Sequence, residues 1–353
     1  MTALENKTGE AAGINKKTNE AMKTMRHLFR VLPLWALLLG VASCDKEDIV
    51  AGGNGAEASG ERVPMTFTAL APQTGQAQTR TELQPGVEED GQTTYAVYWN
   101  AGDQIGIYDG ESFRPFTIDL QEGETAATAN FSGEASPGAE SYLAFYPYDA
   151  EEVTYTDGAI HFTLPVTQTA QAGSFASGVN PAWAQTTEAG GQLAFHNAAA
   201  LVKFTLKAED AAQVSNAVLT DTQGKPLAGG FSLSVADGGA TLTGNSGNTS
   251  TSVKLDGNFE MKAADDQTAD YLFVVACGEK QLESGFTLAF NLKDGGQKTL
   301  TASGGLGTGQ SLAAGVITNL GKIPLDGVPV TGVPISYGGE SSDIAATGEI
   351  WAD

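Results

Sequence analysis

Histidine and cysteine are almost missing from this chain, which has three of the first and two of the second in 353 residues. His27 falls in a removable leader (below), so only His161 and His196 remain as acid, base or ligand. Both lie in alternating strand patterns and read as structural. Cys277 stands inside the apolar run YLFVVACGEK and reads as a buried thiol. With Cys44 taken up at the leader junction, no disulfide and no cysteine metal site is expected, and no Ser-His-Asp or Cys-His arrangement can be argued. Basic residues are also scarce: 19 Lys and Arg stand against 42 Asp and Glu, a formal net charge of −23. So acidic a surface excludes nucleic acid as a partner, because phosphates need a basic footprint, and excludes electrostatic adsorption to anionic lipid. It favours solubility.

The one long apolar run is residues 31–43, thirteen apolar or small side chains preceded by Lys23, Arg26 and Arg30. It has the length and charge pattern of a secretory signal core rather than of a membrane span of about 20 residues. Val41, Ala42 and Ser43 stand directly before Cys44 and resemble the lipobox of bacterial lipoproteins. The resemblance implies a diacylglycerol thioether on Cys44, cleavage before it and an outer-membrane lipid anchor, with residues 1–43 an upstream extension plus signal peptide and Met22 or Met25 the true start. An ordinary secreted protein with a cysteine at its cleavage site is the alternative. Cleavage would leave 13 basic residues against 39 acidic ones, a net charge of about −26. Residues 44–61 begin DKED and continue in Gly, Ala and Glu, a composition expected to form a flexible tether. The acidic run resembles the signal that sends lipoproteins of Bacteroides-type bacteria to the cell surface, and reads equally well as a solvated linker.

Beyond the tether the chain lacks any convincing window of helical apolar period, although AEDAAQVSNAV (208–218) has room for a short helix. In its place come Val-, Phe-, Tyr- and Thr-rich segments with turn residues between them. These are VPMTFTAL (63–70), AVYWNAGDQIGIYDG (96–110), SYLAFYPYD (141–149), AIHFTLP (159–165), ALVKFTLK (200–207), FSLSVADGG (231–239), DYLFVVACG (270–278) and GFTLAFNLKDGG (285–296). NAGD, YDG, ADGG and KDGG supply the positive-φ residues that hairpin turns need. The class is all-β, built as sandwiches. The lapse of strand character at QTTEAGGQ (185–192) marks a division into an N-terminal domain, 62–190, and a C-terminal domain, 191–325. A final strand is expected at GVITNLGKIPL, and residues 326–353 form an extended tail.

Little of this suggests catalysis. Carboxylate pairs such as Glu88-Glu89 and Glu151-Glu152 are adjacent on loops, whereas glycosidase chemistry needs two carboxyls facing across a cleft. GGLGTGQS (304–311) lacks the lysine and the strand-to-helix setting of a phosphate loop. Asp265, Asp266 and Asp270 do not have the spacing of a calcium loop. No cofactor and no metal is expected, and the chain does not read as an enzyme. Tyr95, Tyr98, Trp99, Tyr108, Tyr142, Tyr146 and Tyr148 have either of two uses, a sandwich core or an aromatic platform for sugars.

Four stretches, VPMTFTALAPQTGQAQTRTEL, VYWNAGDQIGIYDGESFRPF, SYLAFYPYD and LAFHNAAALVKFTLK, together resemble the fimbrillin superfamily of Bacteroides-type bacteria, in particular the Mfa-like fimbrillins. The resemblance covers about residues 62–325, and Thr-Arg-Thr at 79–81, Trp-x-x-Gly-Asp at 99–103 and Phe-Tyr-Pro-Tyr at 145–148 are its specific parts. It implies two transthyretin-like β-sandwich domains, lipoprotein export, removal of the first strand by a protease, and assembly with other fimbrillin subunits by strand donation. An Arg-specific protease would cut between Arg80 and Thr81. The donor strand would come from the tail, where Val333, Ile335 and Tyr337 alternate with Pro334 and Ser336. The expected function is therefore a structural subunit of a surface fimbria that serves adhesion; the alternative is a monomeric surface lipoprotein that binds glycans or host ligands.

Overall fold

The computed structural model describes residues 62–70, 82–83, 87–89, 92–95, 97–257, 259, 267–278, 280–307, 311–325, 335–336 and 347–351. They fall in one unit, Ala58–Asp353. As the composition requires, these residues are β almost throughout, arranged in sheets of eight, four, six, six and three strands. Among them the one α-helix is a single turn, Ala208–Ala211, after which Val214–Asp221 is strand. The sequence 208–218 is thus helical only over its Ala- and acid-rich start. From Val214 onward the buried residues Val214, Ala217 and Leu219 decide for a strand.

The eight-stranded sheet carries the first strand, Val63–Ala69. Its order is Gln192–Leu193, Val63–Ala69, Ala129–Ala135, Phe113–Ile118, Gln104–Tyr108, Tyr142–Tyr146, Ala182–Thr186, His196–Asn197. All neighbours are antiparallel except the first pair, which is parallel. One face of the sheet is covered by a core of Phe67, Trp99, Ile105, Ile107, Phe116, Phe131, Tyr142, Tyr146 and Phe195. The other face meets a second core, in which Leu143, Phe145 and Trp183 pack with Ile160, Phe162, Phe231 and Leu272. Tyr142–Tyr146 is therefore buried at all five positions, alternate residues going to opposite cores. That explains its unbroken apolar sequence.

The four-stranded sheet runs Thr154–Thr156, Ala159–Leu164, Ala228–Ala236, Gly239–Ser250. Two six-stranded sheets enclose the third core, where Val202, Phe204 and Phe273 meet Leu219, Leu288, Phe290 and Leu300. Strands on the N-terminal side of residue 190, Ala159–Leu164 and Thr167–Thr169, pair with Ala228–Ala236 and Ser252–Asp256 on its C-terminal side. Gly239–Ser250 has little apolar content and no strand-like sequence. It is strand because Asp237 and Gly238, both at positive φ, fold it back as a hairpin on Ala228–Ala236.

Candidate functional site

The first strand is the element on which the functional expectation rests. Over Val63–Ala69 every residue pairs with Ala129–Ala135, from Val63 opposite Ala135 to Ala69 opposite Ala129. On its other side only Thr68 and Ala69 have partners, Gln192 and Leu193, and Thr68 N–H donates to Gly191 O at 3.4 Å. The odd positions face inward as the alternation requires: Phe67 and Ala69 are fully buried, while Val63 and Met65 are half-buried. The Phe67 ring lies 5.6 Å from Phe116 and 5.1 Å from Tyr142. Outward, Thr66 Oγ1 and Ser132 Oγ share a hydrogen bond of 2.9 Å, and Thr68 Oγ1 donates to Asn130 Oδ1 at 2.8 Å. Taken away, this strand would leave a groove between Ala129–Ala135 and Gln192–Leu193 with Phe116, Tyr142 and Leu193 uncovered.

Arg62 fixes the strand's leading end. Its Nε donates to Asp109 Oδ2 at 3.4 Å, and its Nη2 to Glu111 Oε2 at 2.8 Å and to Ser112 Oγ at 3.2 Å. Asp109 is buried and also accepts the backbone N–H groups of Glu111, Ser112 and Ser136 at 3.1–3.2 Å. Burial pushes its carboxyl up, but those backbone hydrogen bonds, led by Ser112, and the Arg62 charge together hold it below the ordinary aspartate value. This latch was not anticipated from the sequence. The signal was present, since Arg62 is the lone basic residue between Lys46 and Arg80.

Two of the motifs that carried the resemblance, Trp-x-x-Gly-Asp at 99–103 and Phe-Tyr-Pro-Tyr at 145–148, take structural places, while Thr-Arg-Thr at 79–81 lies outside the described residues. Trp99 is buried with its ring edge-on to Phe131, Tyr146 and Phe195 at 4.9–5.3 Å. Gly102, at φ +91, lets the chain turn so that Asp103 accepts the Asn100 N–H at 2.7 Å and the Tyr146 hydroxyl at 3.2 Å. Gly106 allows the Tyr148 ring to lie directly on the backbone, where any Cβ would collide with it. Of the tyrosines considered as a platform, Tyr142, Tyr146 and Tyr148 are buried, while Tyr98 and Tyr108 are half-buried; the side chain of Tyr95 lies outside the described residues.

The histidines and the lone thiol take structural places. His161 bonds Ser232 Oγ through Nδ1 at 2.9 Å and Thr156 O through Nε2 at 3.1 Å, and the His196 ring packs 4.9 Å from Trp183. Cys277 is buried, with Sγ 3.7 Å from Ala198 O, and burial pushes its thiol up to about 12. Asp270, considered for calcium, sits 3.6 Å from the buried Lys203 ammonium and accepts the Thr205 hydroxyl; Asp265 and Asp266 lie outside the described residues. Among the described residues no three His, Cys, Asp or Glu side chains are grouped to hold a metal ion, and no helix is long and apolar enough to cross a membrane.

Cys44, Arg80, Thr81, Val333 and Tyr337 lie outside the described residues. Ile335 is described: Ile335–Ser336 forms a short parallel edge on its own chain's strand Gln297–Ala302, with Ile335 opposite Leu300. Thr347–Trp351 pairs with Val316–Lys322 and Gln92–Tyr95.

No family model and no curated protein sequence matches the chain. Among solved structures it is similar to a candidate cell adhesion protein from Bacteroides uniformis, at 19% identity over 76% of this chain and 95% of the other, with a TM-score of 0.43. A candidate cell adhesion protein from Bacteroides ovatus is similar at 17% identity over 83% and 99%, TM-score 0.42. The tip fimbrial protein Mfa3 from Porphyromonas gingivalis, with a C-terminal truncation, is similar at 10% identity over 77% and 98%, TM-score 0.34.

Proposed function

We propose that this chain is a non-enzymatic subunit of a cell-surface fimbria serving adhesion, exported as a lipoprotein, anchored through Cys44 and assembled by strand donation. The observation that carries the reading is the setting of Val63–Ala69. It fills a full-length slot in a sheet, is bordered on one side by only two residues, and is followed by the polar segment APQTGQAQTRTEL. Cleavage between Arg80 and Thr81 would free the strand from the rest of the chain. Arg62 carries the same specificity determinant, but its guanidinium is engaged with Asp109 and Glu111 and its backbone leads directly into the sheet. That disfavours cutting there.

The groove then needs an apolar strand from elsewhere. Val333, Ile335 and Tyr337 of a neighbouring copy supply the alternation by β-augmentation, and the head-to-tail contact propagates as a fibre instead of closing. Donation requires the tail to leave its own chain, where Ile335–Ser336 pairs at two positions and Thr347–Trp351 pairs at four positions with Val316–Lys322 and at two with Gln92–Tyr95; the groove offers seven positions in return.

The test is treatment of the protein with a trypsin-like protease, N-terminal sequencing and gel analysis without heating. New termini at Thr81 with a ladder of oligomers, both lost in Arg80→Ala, and the ladder lost in a chain ending at Leu325, support the reading. A product beginning at Thr81 that stays monomeric at high concentration refutes strand donation. Anchoring is tested separately by labelling cells with a palmitate analogue. Cys44→Ser should remain unlabelled and uncleaved, and label retained by that variant removes the anchor.

A further inference from the structure

We propose that a shallow cleft at the meeting of the eight-stranded and four-stranded sheets, built around Tyr108 and Tyr155, is a binding site for a neutral sugar. Adjacent strands set its floor. Leu143 of Tyr142–Tyr146 pairs with Tyr108 of Gln104–Tyr108 on one side and with Gln185 of Ala182–Thr186 on the other. Tyr108, Leu143 and Gln185 therefore stand in one row on one face of the sheet. Tyr155, from Thr154–Thr156 of the other sheet, stacks on Tyr108 with ring centres 4.1 Å apart and planes at 28°. Glu140 and Ser141 form the rim, and the cleft encloses about 320 Å³. That is at the small end of the range of about 300–1,000 Å³ usual for small-molecule sites.

The aromatic wall is fixed before any ligand arrives. The Tyr108 hydroxyl donates to Gly110 O at 2.8 Å. Phe113 backs both rings at 5.8 and 6.4 Å, and is itself stacked on the buried Tyr148 at 5.7 Å. Little side-chain entropy remains to be lost on binding. The polar groups, in contrast, are available. Glu140 and Gln185 are exposed; among the described residues Glu140 makes no ion pair or hydrogen bond, and the contact of Gln185 with Ser141 is long, at 3.4 Å.

A pyranose ring has an apolar C–H face and a girdle of hydroxyls that both donate and accept. The tyrosine wall matches the first. A carboxylate, an amide and a hydroxyl converging at its edge match the second, since together they offer donors and acceptors. The charge decides the class of sugar: the Glu140 carboxylate and a chain with a formal net charge of −23 repel sialylated and sulfated glycans. Ser141 and Gln185 donate as well as accept, which a purely cationic ligand would leave unused. The site does not depend on how, or whether, subunits assemble.

The test uses the full chain extracted in a detergent without a sugar headgroup. Saturation-transfer NMR would be recorded with methyl glycosides of galactose, glucose, mannose and N-acetylglucosamine, with sialic acid and a quaternary ammonium ion as charged probes. At least one neutral glycoside should bind saturably, in preference to both charged probes. Tyr155→Ala should weaken that binding by roughly tenfold or more, and Tyr155→Phe, which keeps the stacking face, by less than about threefold. Tyr155 also packs on core residues, so Gln185→Ala, an exposed position, serves as the second variant and should weaken binding several-fold with the near-ultraviolet spectrum unchanged. No saturable neutral glycoside, binding undiminished in both Tyr155→Ala and Gln185→Ala, or preference for the ammonium probe overturns the assignment.

Discussion

Replacing Phe67 by alanine separates the packing of the first strand from its backbone pairing. The seven-residue ladder to Ala129–Ala135 would be untouched, since no hydrogen bond uses the ring. What is lost is a fully buried aromatic side chain held between Phe116 and Tyr142. Phe116 and Tyr142, which flank the ring, sit on strands held in the sheet by their own neighbours and cannot close in freely, so the expected cost is that of a large-to-small change in a rigid core, about 3–5 kcal/mol. At about 2.1 cal/mol/K of unfolding entropy per residue, a unit of about 300 residues shifts by roughly 1.6 °C per kcal/mol, so melting should fall by roughly 5–8 °C. Val63→Ala on the same face is the control. Val63 is half-buried, and a partial loss of methyl burial should cost on the order of 1 kcal/mol. Urea unfolding followed by near-ultraviolet circular dichroism measures both. A Phe67→Ala cost below about 1 kcal/mol, or one equal to that of Val63→Ala, would show that this strand does not anchor the core through Phe67, and the case for a groove needing a replacement strand would fall with it.

Asp109→Asn should destabilise the protein at neutral pH, and the deficit relative to the native protein should shrink in acid. The folded carboxyl titrates below its unfolded value of about 3.9, so its stabilisation is complete above that pH and disappears as pH falls through the depressed folded value; a deficit constant with pH in thermal melts would contradict the latch. Gly106→Ala places a methyl group into the Tyr148 ring and should cost about 1–3 kcal/mol by overpacking, read as a lower urea midpoint with an altered tyrosine near-ultraviolet band. Cys277, with its thiol pushed up to about 12, should resist iodoacetamide at pH 8 in the native protein and react once urea unfolds it, as mass spectrometry would show; rapid native alkylation would mean that the thiol is accessible.

Most strands were legible because their residues serve one packed face and the turns between them carry Gly, Asn or Asp. Val63–Ala69, Ala159–Leu164 and Ala200–Lys207 fall almost where alternation and β-branching put them. Gly239–Ser250 was not legible: it is mostly exposed, so no core imposes an apolar period on it, and only its hairpin partner makes it strand. The one-turn helix and the strand after it divide a sequence whose local propensities favour neither; burial of Val214 and Leu219 in the third core settles it. The inward face of the first strand could be read from residues 63–69 alone. The tyrosine cleft could not, because Tyr108, Leu143 and Gln185 are brought together by the registers of two strand pairs, and registers are set by the whole sheet. Arg62 was passed over for a related reason: its partner Asp109 is a turn residue 47 positions away.

The register of Val63–Ala69 with Ala129–Ala135 also has a mechanical meaning. Antiparallel hydrogen bonds lie perpendicular to the strands. A strand pulled along its own axis in that slot therefore loads the whole seven-residue ladder at once, in shear, instead of peeling it one pair at a time. Phe67 and Ala69, sunk at the far end from Arg62, act as barbs that must leave the core before the strand can slide. The grip of the slot is therefore strongest against a pull along the strand's own axis.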